Sequence, residues 1–234
     1  MIAYMKILGV ESSATAASVA VYWDGKIISQ VQSNTGLTHS QTLLPMVETV
    51  LSSTSNTLKD MDYIAVSNGP GSFTGVRIGV SAVKGMAQPL NIKCVEVSTL
   101  EAIAKPLECT GCYAVAVMDA RCNQVYTAQF NCENGFTRVT QDEAITIDEL
   151  GEKLKNVTKP IVLIGDGTLV AYAKLKDVIS NIQIANPSIR YQSAANVCII
   201  AAQKVEGGFE GNEAQQVLPN YLRPSQAERE LKKK

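Results

Sequence analysis

The residues best suited to chemistry lie in Asn68-Gly-Pro-Gly-Ser-Phe-Thr-Gly-Val-Arg77. Glycines at 69, 71 and 75 permit positive φ and close backbone approach, and the segment leads from an apolar run into a helical one. A loop that opens a helix presents free N–H groups and the positive end of the helix dipole. Gly69, Gly71 and Ser72 are therefore candidate anion-proximal positions; a purely structural turn is the competing reading. No Lys-Ser/Thr follows the glycines, so this is not a Walker loop, and the spacing is not GxGxxG. A second candidate is Val10-Glu-Ser-Ser-Ala-Thr-Ala-Ala17, between two apolar runs. Ser12 and Ser13 carry groups of the type that wrap phosphate, and Glu11 is of the type that holds a metal or orients water. An ordinary polar turn fits the same residues. Asp119-Ala-Arg121 places opposite charges at a turn, where a local pair contributes little if exposed.

Other chemistries are disfavoured by simple counts. His39 is the only histidine. HExxH is therefore impossible, a Ser-His-Asp triad would have to use His39, and no GxSxG elbow is present. The chain has six cysteines, of which Cys109 and Cys112 form a CxxC pair. A structural zinc site takes four ligands, and no second CxxC or nearby histidine supplies the rest. A thioredoxin-like pair would open a helix, whereas this one precedes the strand-like Tyr113–Met118. The expectation is free thiols. A net charge of −1 gives no basic face to neutralise phosphates. Only Arg223–Lys234 is locally basic, either as a solvated tail or as a nucleic-acid contact. Service to a nucleic acid would run through partners.

The elements that must position these residues follow from periodicity. The chain has 234 residues, 46% hydrophobic and 18% charged, enough for one large domain or two small lobes. No apolar run approaches the roughly 18 residues that span a bilayer. The start, Met1-Ile-Ala-Tyr-Met-Lys6, has no signal-peptide pattern, so a cytoplasmic location is expected and no membrane partner. Strands are predicted at Lys6–Val10, Ser18–Trp23 and Lys26–Gln32, with Asp24-Gly25 as a hairpin turn. Apolar residues at Leu43, Leu44, Met46, Val47, Val50 and Leu51 mark a helix over His39–Ser52, with Pro45 expected in its first turn. Tyr63–Ser67 reads as a strand, Thr74–Gln88 as a helix, Ile92–Val97 as a strand and Thr99–Lys105 as a short helix. Beyond Leu107–Gly111 the plan restarts, with strands at Tyr113–Met118, Gln124–Asn131 and Phe136–Thr140. A capping box at Thr146–Glu149 opens a helix running to about Lys155. A strand at Ile161–Ile164, a short helix, a strand near Ile182 and a helix over Ser193–Val205 complete it. The repeat of plan predicts two related α/β lobes: residues 1–107, a reduced lobe over 108–192, and 193–234 returning towards the first; one continuous domain is the alternative. Small residues at Gly75, Gly79 and Ala82 either pack within the chain or admit another chain.

Five stretches together resemble the TsaB (YeaZ) family: Ile7–Ser13, His39–Pro45, Gly69–Gly79, Asp119–Arg121 and Pro219–Arg223, in order and approximate spacing. The resemblance implies an actin/hexokinase/Hsp70-like (ASKHA) fold. It implies a scaffold that activates a TsaD-like catalytic subunit, alongside a TsaE-like ATPase, to install N6-threonylcarbamoyl on adenosine 37 of tRNAs reading ANN codons. The chain would touch tRNA only indirectly and would pair with itself through the same surface. That surface is expected on the helices His39–Leu51 and Thr74–Gln88, through His39, Leu43, Met46, Val47, Val50, Gly75, Arg77, Gly79, Ala82 and Met86. TsaD-like enzymes carry two metal-binding histidines, one turn apart, after the strand matching Ile92–Val97. Here Ser98-Thr-Leu-Glu-Ala-Ile103 stands there, so neither that metal site nor a cofactor is expected. Glu11-Ser12-Ser13 replaces the Asp-Thr-Ser commoner in the family. The rival expectations are an ATP-dependent phosphotransferase of the same fold and an M22-type peptidase.

Overall fold

The computed structural model describes residues 5–36 and 38–224. Its first sheet grows around β1 (Lys6–Glu11), in which every residue after Lys6 is buried. β1 pairs antiparallel with β2 (Ala17–Trp23) and parallel with β4 (Tyr63–Gly69). β3 (Lys26–Ser33) and β5 (Lys93–Ser98) form the edges, in the order β3-β2-β1-β4-β5. β3 alternates between half-buried and exposed residues, as an edge strand should. The central strands are apolar on both sides because helices cover both faces. α1 (His39–Ser53) and α2 (Phe73–Ala87) pack on one face through Leu43, Val47, Val50, Val76, Val80 and Val83. α6 (Ala194–Glu206) packs on the other through Val197, Cys198, Ile200 and Ala201, against Ile7, Ala20, Ala65 and Val95.

The second sheet repeats the scheme. β6 (Tyr113–Asp119) pairs antiparallel with β7 (Gln124–Asn131) and parallel with β10 (Ile161–Ile164), which pairs parallel with β11 (Ile182–Ile184). α4 (Ile147–Leu154) and α5 (Thr168–Leu175) bury Ile147, Leu150, Leu154, Ala171 and Leu175 on its outer face. The inner face meets α3 (Thr99–Ala104) through Leu100, Ile103 and Ala104, and that same cluster includes Ala14 from the β1–β2 loop. The two lobes therefore share a strand order, an antiparallel meander followed by two parallel strands. No helix among the described residues is long and apolar enough to cross a membrane.

Three expectations need correction. The third strand of the second meander, expected at Phe136–Thr140, is divided. β8 (Thr137–Arg138) pairs with the end of β7, and β9 (Glu143–Thr146) pairs with its beginning. At the end of β8 the Arg138 guanidinium binds Asp142, in the segment between the two strands, at 2.6 Å and Glu101 at 3.0 Å. Pro45 lies inside α1, not in its first turn, because the helix already begins at His39. Pro45 and Gln41 are both exposed, so the carbonyl that loses its partner sits on the solvent side. α2 closes at Ala87 and runs into a 3-10 turn, Gln88–Leu90, that contains Pro89. The capping box stands as read: Thr146 Oγ1 accepts from Glu149 N, and Glu149 accepts from Thr146 N.

Candidate functional site

α2 begins where β4 ends, and the loop between them is fastened on both sides. Ser72 caps the helix, its hydroxyl accepting from Gly75 N at 3.3 Å. Ser72 N donates to Ser13 O at 2.7 Å, tying the loop to the β1–β2 turn. A Cβ built on Gly71 would lie 2.3 Å from Ser13 O, and one on Gly75 would lie 2.2 Å from Ser12 O. One on Gly79 would lie 2.4 Å from Ser12 Oγ, which itself donates to Gly75 O at 2.9 Å. The glycine stripe of α2 therefore receives the first turn of its own chain.

Glu11 is fully buried. Its Oε1 accepts from Ser13 N and Ser13 Oγ, both at 2.6 Å, and its Oε2 accepts from Ser67 Oγ. Burial pushes its carboxyl above the usual range, while the donors from Ser13 and Ser67 pull the other way. The glutamate chain is long enough to fold back onto its own turn. His39 Nε2 donates to Ala14 O at 2.6 Å, so the single imidazole fixes this same turn from the α1 side.

Between the lobes lies a cleft of about 410 Å3. Ser13, Gly71 and Ser72 border it from the first lobe, and Asp119, Arg121 and Asp166 from the second. The β6–β7 turn is tight: Arg121, Cys122 and Asn123 all have positive φ, between 53° and 64°. Asp119 accepts from Arg121 N at 2.8 Å and pairs with its guanidinium at 3.2 Å, the local pair expected; Arg121 is 84% exposed. Asp166 follows β10, and burial raises its carboxyl while Gln192 Nε2, donating at 3.3 Å, opposes that. The chain after α6 supplies the remaining wall. Leu218 N donates to Glu96 Oε1 at 2.8 Å and Asn220 N to Asn68 O at 2.7 Å. Tyr221 stacks on Phe73 at 4.6 Å and accepts from Arg77 Nε at 2.8 Å. Arg223 Nη1 donates to Ala120 O at 3.0 Å, so this segment bridges both lobes. A side chain at Gly69, whose φ is 126°, would strike Asn220 O at 2.3 Å.

Of the residues singled out for anion binding, Gly71 and Ser72 reach the cleft; Ser13 borders it but is fully buried with its N–H and hydroxyl on Glu11, and Glu11, Ser12 and Gly69 are likewise spent on internal contacts. The partner-face assignment needs a larger correction. Leu43, Met46, Val47, Val50 and Met86 are buried, since their side of each helix covers the first sheet. Gly75 and Gly79 serve the chain's own turn. His39, Arg77 and Ala82 alone of that set reach the outer surface. There they line a shallow groove of about 330 Å3 with Ser40, Leu44, Ile78 and Ser81. Leu44, which the periodicity placed in the helix but not in the face, is 51% exposed. Asp166, Asn220 and Tyr221 were not singled out as site residues, though Pro219–Arg223 was one of the stretches that carry the family resemblance. The tail beyond Pro224 lies outside the described residues.

Residues 28–231 match the family model described as TsaD: tRNA N6-adenosine threonylcarbamoyltransferase. The chain is 27% identical, over 96% of both lengths, to the tRNA threonylcarbamoyladenosine biosynthesis protein TsaB of Bacillus subtilis. It is 32% identical to the TsaB of Escherichia coli, over 70% of this chain and 72% of that one. A solved Pseudomonas aeruginosa protein, described as similar to peptidase YeaZ, matches with a TM-score of 0.81 at 26% identity. That match covers 94% of this chain and 100% of the other. Component A of the (R)-2-hydroxyglutaryl-CoA dehydratase of Acidaminococcus fermentans matches with a TM-score of 0.54 at 14% identity, over 86% and 99% of the two chains. That likeness speaks for the fold, which is the two-lobed ASKHA fold.

Proposed function

The chain belongs to the TsaB (YeaZ) family and takes part in making threonylcarbamoyladenosine on tRNA, and from that premise we propose that it acts as a non-catalytic partner. The outer groove of α1 and α2 docks a TsaD-like catalytic subunit, and a second copy of this chain competes for the same surface. The observation that carries this reading is Gly85. It is exposed in α2, and a Cβ built on it meets nothing within 4 Å. A glycine inside a helix costs about 1 kcal/mol against alanine, and nothing among the described residues uses the space it leaves. Gly85 continues at helical spacing the stripe of Ile78 and Ala82, which line the groove together with half-exposed Leu44. A partner backbone approaching there accounts for the small residue.

The buried state of Glu11 and the engagement of His39 with Ala14 support a structural role for the first turn. A TsaE-like ATPase and tRNA then join through the catalytic subunit, in the cytoplasm. An ATP-dependent phosphotransferase is the second reading, favoured by Asp119 and Asp166 together on the second-lobe wall of the cleft; turnover of Mg-ATP by the isolated chain would establish it. The deciding experiment titrates the TsaD-like subunit into this chain and into its Leu44→Glu variant. Leu44 is half exposed, so the variant folds, and a charge forced into the interface weakens binding at least about tenfold. Equal affinity for both chains defeats the proposal.

A further inference from the structure

Cys112 and Cys132 face each other one step beyond the last named pair of the β6–β7 ladder. That ladder ends at Tyr113↔Asn131. Past it, Cys132 N donates to Cys112 O and Gly111 N donates to Cys132 O, each at 3.0 Å, so the pairing continues through both cysteines. Directly opposed residues of an antiparallel pair share a sheet face, with Cα atoms about 5.5 Å apart when hydrogen-bonded. That lies inside the roughly 4.4–6.8 Å a disulfide spans. Both side chains belong to one apolar cluster with Ala114 and Phe130, Cys112 5% exposed and Cys132 0%.

The surroundings make the two sulfurs unequal. The Cys112 sulfur lies against the Cys132 thiol and 3.2 Å from Thr110 Oγ1, whose proton goes to Leu107 O at 2.6 Å. The Cys132 contact, with Thr110 beside it, holds the Cys112 thiol below its usual value against the opposing effect of burial. The Cys132 thiol, hydrogen-bonded to Cys112 and buried, is pushed up. Cys112 is thus the more readily ionised of the two sulfurs. Cys109, the sequence neighbour in the CxxC pair, is exposed on a residue with φ 59°, its N–H directed to Gly135 O. The spacing of the sequence pairs 109 with 112, whereas the fold pairs 112 with 132.

We propose that Cys112 and Cys132 form an oxidisable dithiol, which a peroxide converts into a cross-strand disulfide. The Cys112 thiolate attacks one peroxide oxygen, the O–O bond breaks, and hydroxide leaves to be protonated to water, giving a sulfenic acid. The Cys132 sulfur then attacks the Cys112 sulfur, the S–O bond breaks, and the departing hydroxide takes the Cys132 proton as a second water. Two thiols and one hydrogen peroxide become one disulfide and two waters. A small oxidant suits a buried pair, and cellular thiols return it to the dithiol. The bond pins the start of β6 beside Lys105–Gly111, where the chain passes from one lobe to the other.

The test treats the whole native chain with hydrogen peroxide, blocks the remaining thiols after denaturation, and maps linked peptides by mass spectrometry. The expected product is a Cys112–Cys132 link that dithiothreitol removes, that persists in Cys109→Ser and that is absent from Cys132→Ala. A Cys109–Cys112 link overturns the proposal. So does oxidation confined to exposed Cys109 and Cys122 with Cys112 and Cys132 still open to blocking. The map of the unmutated chain decides either way, whatever the variants' stability.

Discussion

Gly75 and Gly85 sit in one helix, ten residues apart, and adding a single methyl group to each should have opposite effects. At Gly75 the new Cβ would lie 2.2 Å from Ser12 O, where ordinary contact begins at 3.4 Å. The obstacle is a backbone carbonyl, so no rotamer change clears it. Its loop is held by the Ser12 Oγ bond to Gly75 O and the Ser72 N bond to Ser13 O. Relief needs a movement of about 1 Å, and overpacking of this kind costs about 3 kcal/mol at the upper end of its usual range. Alanine returns up to about 1 kcal/mol through helix propensity, leaving a net loss of about 2 kcal/mol. For a chain of this length that lowers Tm by about 4–8 °C. Gly85→Ala meets nothing within 4 Å and keeps only the propensity gain, raising Tm by about 2–4 °C. Thermal unfolding of the two variants beside the parent chain is sufficient. A Gly75→Ala protein as stable as Gly85→Ala would show that the first turn does not press on α2.

Glu11→Gln should gain stability relative to the parent as pH rises. The raised carboxyl of the folded state supplies stability below the unfolded value near 4.5, and this is lost as pH climbs through the higher folded value, whereas Gln does not ionise. Urea midpoints that keep a constant difference from about pH 4 to about pH 7 would contradict the burial argument. Tyr221→Phe keeps the stack on Phe73 but loses the Arg77 hydrogen bond, at about 1 kcal/mol, and Tyr221→Ala loses both. Amide exchange across Leu218–Tyr221 should quicken in that order, and unchanged exchange in the alanine variant would deny this segment its anchor. Arg138→Ala strips Asp142 and Glu101 of their shared guanidinium, each side chain being about a quarter exposed or less. About 2 kcal/mol should be lost in urea unfolding, allowing for residual solvation; a midpoint equal to the parent's would show the network to be idle.

Both meanders were legible because their information is local. Asp24-Gly25 sets a two-residue hairpin, and the apolar runs at Lys6–Val10, Tyr113–Met118 and Gln124–Asn131 have few alternatives to strands. The Thr146–Glu149 capping box was legible for the same reason, since both partners lie within one helical turn. The split of β8 and β9 was not. It depends on Arg138 finding Asp142 four residues ahead and Glu101 in the other lobe, and the second of these is invisible to periodicity. The Cys112–Cys132 pairing was hidden similarly. Spacing directs attention to Cys109 and Cys112, whereas register places a residue twenty positions away in contact.

The misread partner face has a single physical origin. A stripe of apolar residues at 3.6-residue spacing shows that a helix has a buried side, but not whether its own sheet or another chain covers it. Leu43, Val47 and Val50 were the strongest part of the signal in α1 because they fill the core, and for that reason they were the wrong residues to assign to an interface. Residues facing a transient partner must also tolerate water. On the proposed face they leave a weaker trace: one half-exposed Leu44, a half-buried Ala82, an arginine held against an aromatic ring. Glycines divide along the same line. Gly75 and Gly79 are explained once the Ser12 turn is seen against them, and only then does Gly85 stand out as having no contact among the described residues. The sequence holds all three in equal view; subtracting the contacts that the fold satisfies is what separates a surface built for another protein from one built for this chain's own core.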